Sequence, residues 1–270
     1  MARIDTTVAI LGAGSMGGAI ARGLVASGAL RSDDLWVYDP DERCTATLRE
    51  AGMHIAENAQ DLVNAGTEVF VLAVKPQILS GVVSPLADGL RDRLVVSIAA
   101  GVNLATLQAI LPQSCVVRVM PNLPIQVLSG ATAVTGGVRA SEDQVELVRS
   151  LFAALGSAQV MREDQLDAEG AVVSCGPAYI ALFVDALTRA GVRAGLPAAA
   201  CREMVEATMR GVATSLLESG DHPRVYMERV TSPGGTTAAG LEDMEPLVME
   251  AAYAAVDAAL RRTAELAANG

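Results

Sequence analysis

The stretch Thr7-Val8-Ala9-Ile10-Leu11-Gly12-Ala13-Gly14-Ser15-Met16-Gly17 decides the fold. Its first five residues run without polar alternation, as a strand buried on both faces of a parallel sheet must. A G-x-G-x-x-G follows at once, and a helical pattern from Met16 to Ser27 follows that. In this strand–turn–helix context the glycines read as a dinucleotide cradle. Gly12 permits the tight turn, Gly14 lets the backbone approach a pyrophosphate, and Gly17 lets helix and strand pack closely. Ser15 and Met16 open the helix, whose free N–H groups and positive dipole end suit phosphate oxygens.

Working outward, further short apolar runs recur: Leu35–Tyr38, Glu68–Val74, Leu94–Ile98 and Val116–Met120. Helical stretches such as Glu42–Ala51 lie between them, and His54 reads as part of a short strand. Strands alternating with helices predict right-handed crossovers and a doubly wound parallel sheet. Ligands of such sheets lie outside the carboxyl ends of the strands. Asp39 ends the second run and is placed to take a ribose 2′-hydroxyl, which favours NAD; Arg43 is close enough in sequence to serve a 2′-phosphate instead. Ala73, Val74, Lys75 and Pro76 end one strand, and Ala99 and Gly101 follow another, so both stretches are expected beside the cofactor. Lys75 reads equally as a phosphate partner or as a surface lysine.

The pattern changes near Arg162. Strand signals stop, and helices are predicted over Asp164–Val173, Ala178–Ala194, Ala198–Ser219 and Pro246–Ala268, with Gly/Pro breakers between them. The expected division is residues 1–162 for the dinucleotide domain and 163–270 for an all-helical domain. Its small, Ala-rich apolar faces are expected to bury against a second copy of the chain. Within it, Thr231-Ser232-Pro233-Gly234-Gly235-Thr236-Thr237 sets two glycines among hydroxyls. Such a loop can converge N–H and O–H groups on a small carboxylate, and can equally be a helix-joining turn. Asn122, after the fifth strand, is a candidate substrate contact or a turn residue before proline.

Composition narrows the chemistry. The 270 residues carry 31 Asp and Glu against 20 Lys and Arg, a net charge of −11. Nucleic-acid binding is therefore not expected, because phosphate affinity needs clustered cations. Hydrophobic residues reach 51% and charged residues 19%, which excludes a disordered chain. Mean hydropathy is +0.36. The uncharged run from Leu94 to Val117 contains Gly101, Asn103, Pro112 and Gln113 and does not read as a membrane span. Arg3 and Asp5 argue against a signal peptide, so a cytoplasmic, membrane-free protein is expected. Cys44, Cys115, Cys175 and Cys201 form no metal pattern, and none is proposed as a ligand. Lys75 is the sole lysine, and His54 and His222 are the two histidines. His222 reads as a cap before Pro223. A reaction needing a strong side-chain base is disfavoured; hydride transfer to an already protonated imine needs none.

The chain resembles the pyrroline-5-carboxylate reductase family along nearly its whole length. The resemblance rests on Gly12–Gly17, Leu72–Gln77, Val96–Val102, Met120–Asn122, Gly176–Tyr179, Ala190–Pro197, Glu218–Pro223 and, most specifically, Thr231–Thr237. It implies an N-terminal Rossmann domain, a helical domain that interlocks two subunits, and in some members further assembly of dimers. It implies hydride transfer from NAD(P)H to the C=N carbon of 1-pyrroline-5-carboxylate, giving L-proline. NADPH is the family's usual cofactor and NADH is often accepted. Asn58 matches an asparagine on the adenosine side of the cofactor. Ser232, Gly234, Gly235, Thr236 and Thr237 match the loop that binds the substrate carboxylate, with Thr237 the partner of the ring nitrogen and the candidate catalytic residue. Three departures stand out: Leu123 replaces a threonine, Val173-Ser174-Cys175 alters two hydroxyl positions, and the segment after Leu241 is shorter than usual. A reductase of a related cyclic imino acid, and a silent NAD(P)-binding paralogue, are the alternatives.

Overall fold

A computed structural model describes residues 3–268, with side chains to 265. Eight strands form one sheet: β1 (Val8–Leu11), β2 (Leu35–Tyr38), β3 (His54–Ile55), β4 (Val69–Leu72), β5 (Leu94–Ser97), β6 (Cys115–Pro121), β7 (Gly130–Gly136) and β8 (Gly156–Val160). Their order is β3-β2-β1-β4-β5-β6-β7-β8. Pairing is parallel throughout except between β6 and β7, where Val119 faces Val134 in an antiparallel ladder. The expected Rossmann-type sheet is therefore present and is extended by two strands. Gly130-Ala-Thr-Ala-Val-Thr-Gly136 and Gly156-Ser-Ala-Gln-Val160 escape an apolar-run reading because small and hydroxyl residues fill them. The neighbouring strands, not propensity, hold them in place.

Alternation along each strand sorts side chains to two faces. Val8, Ile10, Val37, Val69, Val71, Val96, Val117 and Val119 face α1 (Ser15–Ala26), α2 (Glu42–Glu50) and α6 (Glu142–Ala153). Ala9, Leu11, Phe70, Leu72, Val95 and Val116 face α3 (Ala59–Asn64), α4 (Pro76–Val83) and α5 (Leu104–Ile110). Each fully buried Leu, Val or Phe stabilises the fold by about 1.5–3 kcal/mol. At the β3 edge Trp36 pairs in register with His54, and their rings stack with centroids 4.4 Å apart.

Residues 163–174 are helical in three short pieces: a 3₁₀ turn at Glu163–Gln165, α7 (Leu166–Glu169) and a π-turn at Gly170–Ser174. The single helix expected over Asp164–Val173 is broken up where Gly170 weakens it. The described residues up to Ser174, together with those from Leu260, form one compact unit; Cys175–Ala259 form a second.

The second unit contains α8 (Gly176–Arg193), α9 (Ala198–Ser219), α10 (Pro223–Val230) and most of α11 (Thr236–Ala268). Gly191 lets α8 approach α9 so closely that a Cβ there would run into Cys201 Sγ. As expected, His222 is a cap: its Nδ1 accepts the Arg224 N–H at 3.2 Å, and Pro223 occupies the first turn of α10. That helix is short and was hidden among breakers. The helix expected from Pro246 begins ten residues earlier, at Thr236, and runs through Pro246. The ring removes one backbone donor there without ending the helix.

Candidate active site

The glycine cradle behaves as its sequence requires. Gly12 has φ +102°, and a Cβ on it would lie 2.6 Å from the Ala73 carbonyl oxygen. A Cβ on Gly17 would strike the Gly12 carbonyl and lie 2.9 Å from Ala73 Cβ. Gly14 has open space instead, and with Ser15 it is exposed; Met16 is half-buried. Gly14 is the N-cap of α1 with no side-chain cap bond, and the first turn of α1 carries no acidic residue. The positive helix end is left for an anion, so this cradle fits a dinucleotide pyrophosphate.

Asp39 stands at the carboxyl end of β2. Its Oδ2 accepts the Ala13 N–H at 2.7 Å, and its Oδ1 accepts the Asp41 N–H at 2.9 Å. The glycine turn thus fixes its carboxylate. Arg43 is committed elsewhere: its guanidinium donates to both oxygens of Asp41 at 2.7–3.2 Å. That pair holds the Asp41 carboxyl below its usual range. Lys75 is exposed as the N-cap of α4, with Pro76 beginning the helix. Ala73 and Val74 are half-buried after β4. Ala99 is buried and Gly101 exposed, with φ +75°, after β5. Asn58 is exposed; it caps α3 through the Asp61 N–H at 2.9 Å and donates Nδ2 to the Asp61 carboxylate at 2.6 Å. The first unit therefore collects all the expected cofactor residues around the carboxyl ends of β1 to β5.

Asn122 directly follows β6 and is 8% exposed. Its Oδ1 accepts the Ala131 N–H at 2.9 Å, and its Nδ2 donates to the Val173 carbonyl at 3.2 Å. The amide ties β6 to β7 and to the π-turn, leaving one further N–H for a ligand.

Ser232–Thr237 lie in the second unit. Gly235 N–H donates to the Ser232 carbonyl at 3.0 Å, and Gly234 has φ +69°. Thr231 Oγ1 donates to the Met227 carbonyl at 2.6 Å, closing α10. Ser232, Gly234, Thr236 and Thr237 are exposed and Gly235 is half-buried. The Ala239 N–H is satisfied by Gly235 at 3.2 Å. The N–H groups of Thr236 and Thr237 belong to the first turn of α11, where a helix has no carbonyl to offer them. That turn carries no acidic residue. Glycine backbone, hydroxyls and a positive helix end converge in one place, an arrangement that suits a carboxylate.

Sequence reasoning passed over one polar group of the first unit. Arg118 sits in the apolar run of β6, 3% exposed, within 3.4 Å of Glu163 and 3.6 Å of Asp167. A charge inside a buried strand was the available signal.

Residues 163–266 match the family model for the pyrroline-5-carboxylate reductase dimerisation domain. Residues 7–101 match the model described as NADP oxidoreductase, coenzyme F420-dependent. The pyrroline-5-carboxylate reductase of Synechocystis is 37% identical over 259 residues, covering 95% of this chain and 97% of that protein. A solved pyrroline-5-carboxylate reductase from Coxiella burnetii superposes with a TM-score of 0.92 at 31% identity, over 97% of this chain and 99% of that one. The Plasmodium falciparum pyrroline carboxylate reductase, solved with NADP bound, gives a TM-score of 0.86 at 26% identity, over 98% of this chain and 100% of that one. With a cradle shaped for a dinucleotide and this likeness along the whole chain, the protein belongs to the pyrroline-5-carboxylate reductase family.

Proposed function

We propose that the protein is an NAD(P)H-dependent oxidoreductase that reduces 1-pyrroline-5-carboxylate to L-proline, the last step of proline biosynthesis. The Ser232–Thr237 loop carries this reading, because it matches the family's carboxylate loop residue by residue and opens a helix whose first turn is free of acid. The reduced dinucleotide supplies the hydride. Gly12–Gly17 would hold its pyrophosphate, and Ala73–Pro76, Ala99 and Gly101 would stand beside it. The substrate is a ring imine carrying its own proton on nitrogen. The hydride adds to the carbon of C=N, the π pair goes to nitrogen, and a secondary amine results. Ser232, Gly234, Gly235 and Thr236 hold the substrate carboxylate, and the Thr237 hydroxyl partners the ring nitrogen. The protein's contribution is orientation, in line with a chain whose one lysine, Lys75, lies outside the helical unit.

The apolar run Glu163–Arg193 is long enough to cross a membrane by length and composition alone. It falls within the segment matching the dimerisation model, so its exposed face is read as a subunit contact in a homo-oligomer. A dimer through residues 163–270, in the cytoplasm and without nucleic-acid partners, fits that reading.

The test follows loss of reduced-nicotinamide absorbance with pyrroline-5-carboxylate, using NADPH and NADH in parallel, and measures proline formed. Stoichiometric proline supports the assignment. Cofactor binding without oxidation moves it to another cyclic imine or to a silent paralogue, with Leu123, Cys175 and the short segment after Leu241 as the first positions to restore.

A further inference from the structure

Arg118 and its acidic neighbours lie outside both the glycine cradle and the hydroxyl loop. The guanidinium is buried, and its Nε has no hydrogen-bond partner among the described residues. Glu169, the last residue of α7, is 7% exposed. Its Oε2 accepts a long hydrogen bond from Ser174 Oγ at 3.4 Å, while its buried Oε1 has no partner among the described residues. Two complementary polar atoms are thus left unsatisfied inside one unit, where each costs free energy. Burial pushes the Glu169 carboxyl up to about 7, against the opposing pull of Ser174 and Arg118. The segment also carries a π-turn, a form of helix concentrated at functional sites.

The same segment is tied to two strand ends. Glu163 Oε1, besides facing Arg118, accepts the N–H of Leu104 at 2.5 Å, directly after the loop that holds Ala99 and Gly101. Asn122 joins the end of β6 to Val173 in the π-turn. Residues 163–174 therefore brace the loops after β5 and β6 at the carboxyl edge of the sheet. The charged group that acts on Glu169 is Arg118 from β6, and Glu163 and Asp167 of the same segment stand against that guanidinium.

We propose that Glu169 is a positioning residue for the reduced dinucleotide, holding segment 163–174 in place when neutral and releasing it when ionised. As a carboxylate it turns to the unpartnered Arg118 Nε. There it competes with Glu163 and Asp167 for the guanidinium and slackens the hold of Glu163 on the Leu104 N–H. The link to the dinucleotide rests on the assignment of Ala99 and Gly101 under the proposed function.

The experiment measures the Kd of NADH by its fluorescence from pH 5.5 to 8.5 for the wild type, Glu169→Gln and Glu169→Met. NADH is the probe because it lacks the 2′-phosphate of NADPH, a group of the kind that titrates near pH 6. Wild-type affinity should weaken about fivefold as pH rises through 7, a modest coupling. Glu169→Gln should keep the low-pH affinity throughout, and Glu169→Met should also lack the pH step. A flat wild-type profile, or the same step in the variants, overturns the proposal. Proline formation with a flat profile overturns it alone; a Glu169-dependent step without proline formation overturns only the functional assignment.

Melting supplies a second readout. A carboxyl whose pKa is raised by folding binds more protons folded than unfolded between its ordinary value, 4.5, and about 7. Stability must then fall as pH rises across that window and level off above it. The wild-type Tm should drop by several degrees more than that of Glu169→Gln between pH 5 and 7.5. Parallel curves would overturn the assignment of the proton to Glu169.

Discussion

In the first unit Ile10, Phe70 and Leu72 lose all exposure to solvent within a single chain. In the second, Cys201 alone among the described residues of 175–259 is buried, while Leu182, Leu217 and Tyr253 remain 68%, 85% and 64% exposed. The sheet satisfies its own apolar residues because it has two faces and a layer of helices for each. Apart from the close approach of α8 to α9 at Gly191 and Cys201, the apolar stripes of α8 to α11 are left uncovered by their own unit. An exposed apolar surface of this extent marks an interaction face, and the match to a dimerisation domain names its partner as another copy. One half of the chain is specified by its own packing; the other half is specified by assembly.

Four variants would break or sharpen that contrast. The largest effect is expected from Gly17→Val. The added side chain would meet the Gly12 carbonyl and Ala73, so dinucleotide binding should vanish and the first unit should lose at least about 2 kcal/mol. A fluorescence titration with NADH and a thermal melt check both. Next is Leu182→Glu combined with Tyr253→Glu. Charge on that face should return the protein to the 27.8 kDa of a single chain in light scattering, since an unpaired charge is costly to bury. Turnover should fall with it, while NADH binding by the first unit survives. Retained oligomers would mean that the covering face lies elsewhere.

Thr237→Val acts in the second unit alone. Losing one polar contact at the reacting centre, worth about 1–3 kcal/mol, should cut kcat ten- to a hundredfold and leave the Kd of NADH unchanged. Unchanged kcat would remove the Thr237 hydroxyl from the reaction. The smallest effect is expected from Asp39→Ala. With the carboxylate gone, NADH should lose affinity by about fivefold relative to NADPH, because only NADH offers a free 2′-hydroxyl. An equal loss for both would mean that Asp39 serves the glycine turn, through Ala13, and not the ribose.

Legibility in the sequence followed the same division. β1, β4, β5 and β6 announce themselves as apolar runs because both faces of each are buried, and β2 does so although Trp36 and Tyr38 on one of its faces are only half-buried. β7 and β8 do not, because Thr132, Thr135 and Ser157 stand where a run would need Val or Ile. The glycine cradle was legible to the level of single residues, since φ and close approach admit little else at Gly12 and Gly17. The engagement of Asn122 was not. Its partners, Ala131 and Val173, come from segments whose placement depends on the antiparallel turn between β6 and β7. The Arg118 cluster failed for a related reason. Its acids follow β6 by more than forty residues, and nothing in local spacing brings them back to it. For Ser232–Thr237 the residue pattern left turn and anion site equally open, and the helix that starts at Thr236 is compatible with both.

The stack of Trp36 on His54 gives the protein a built-in optical label. Trp36 is the single tryptophan of the chain, and it sits in β2 against a histidine ring. Emission excited at the indole therefore originates wholly from the sheet-bearing half. Helical circular dichroism draws on both halves. One sample heated once, and watched in both ways, separates loss of the sheet from loss of the subunit-pairing helices without cutting the chain or adding a dye.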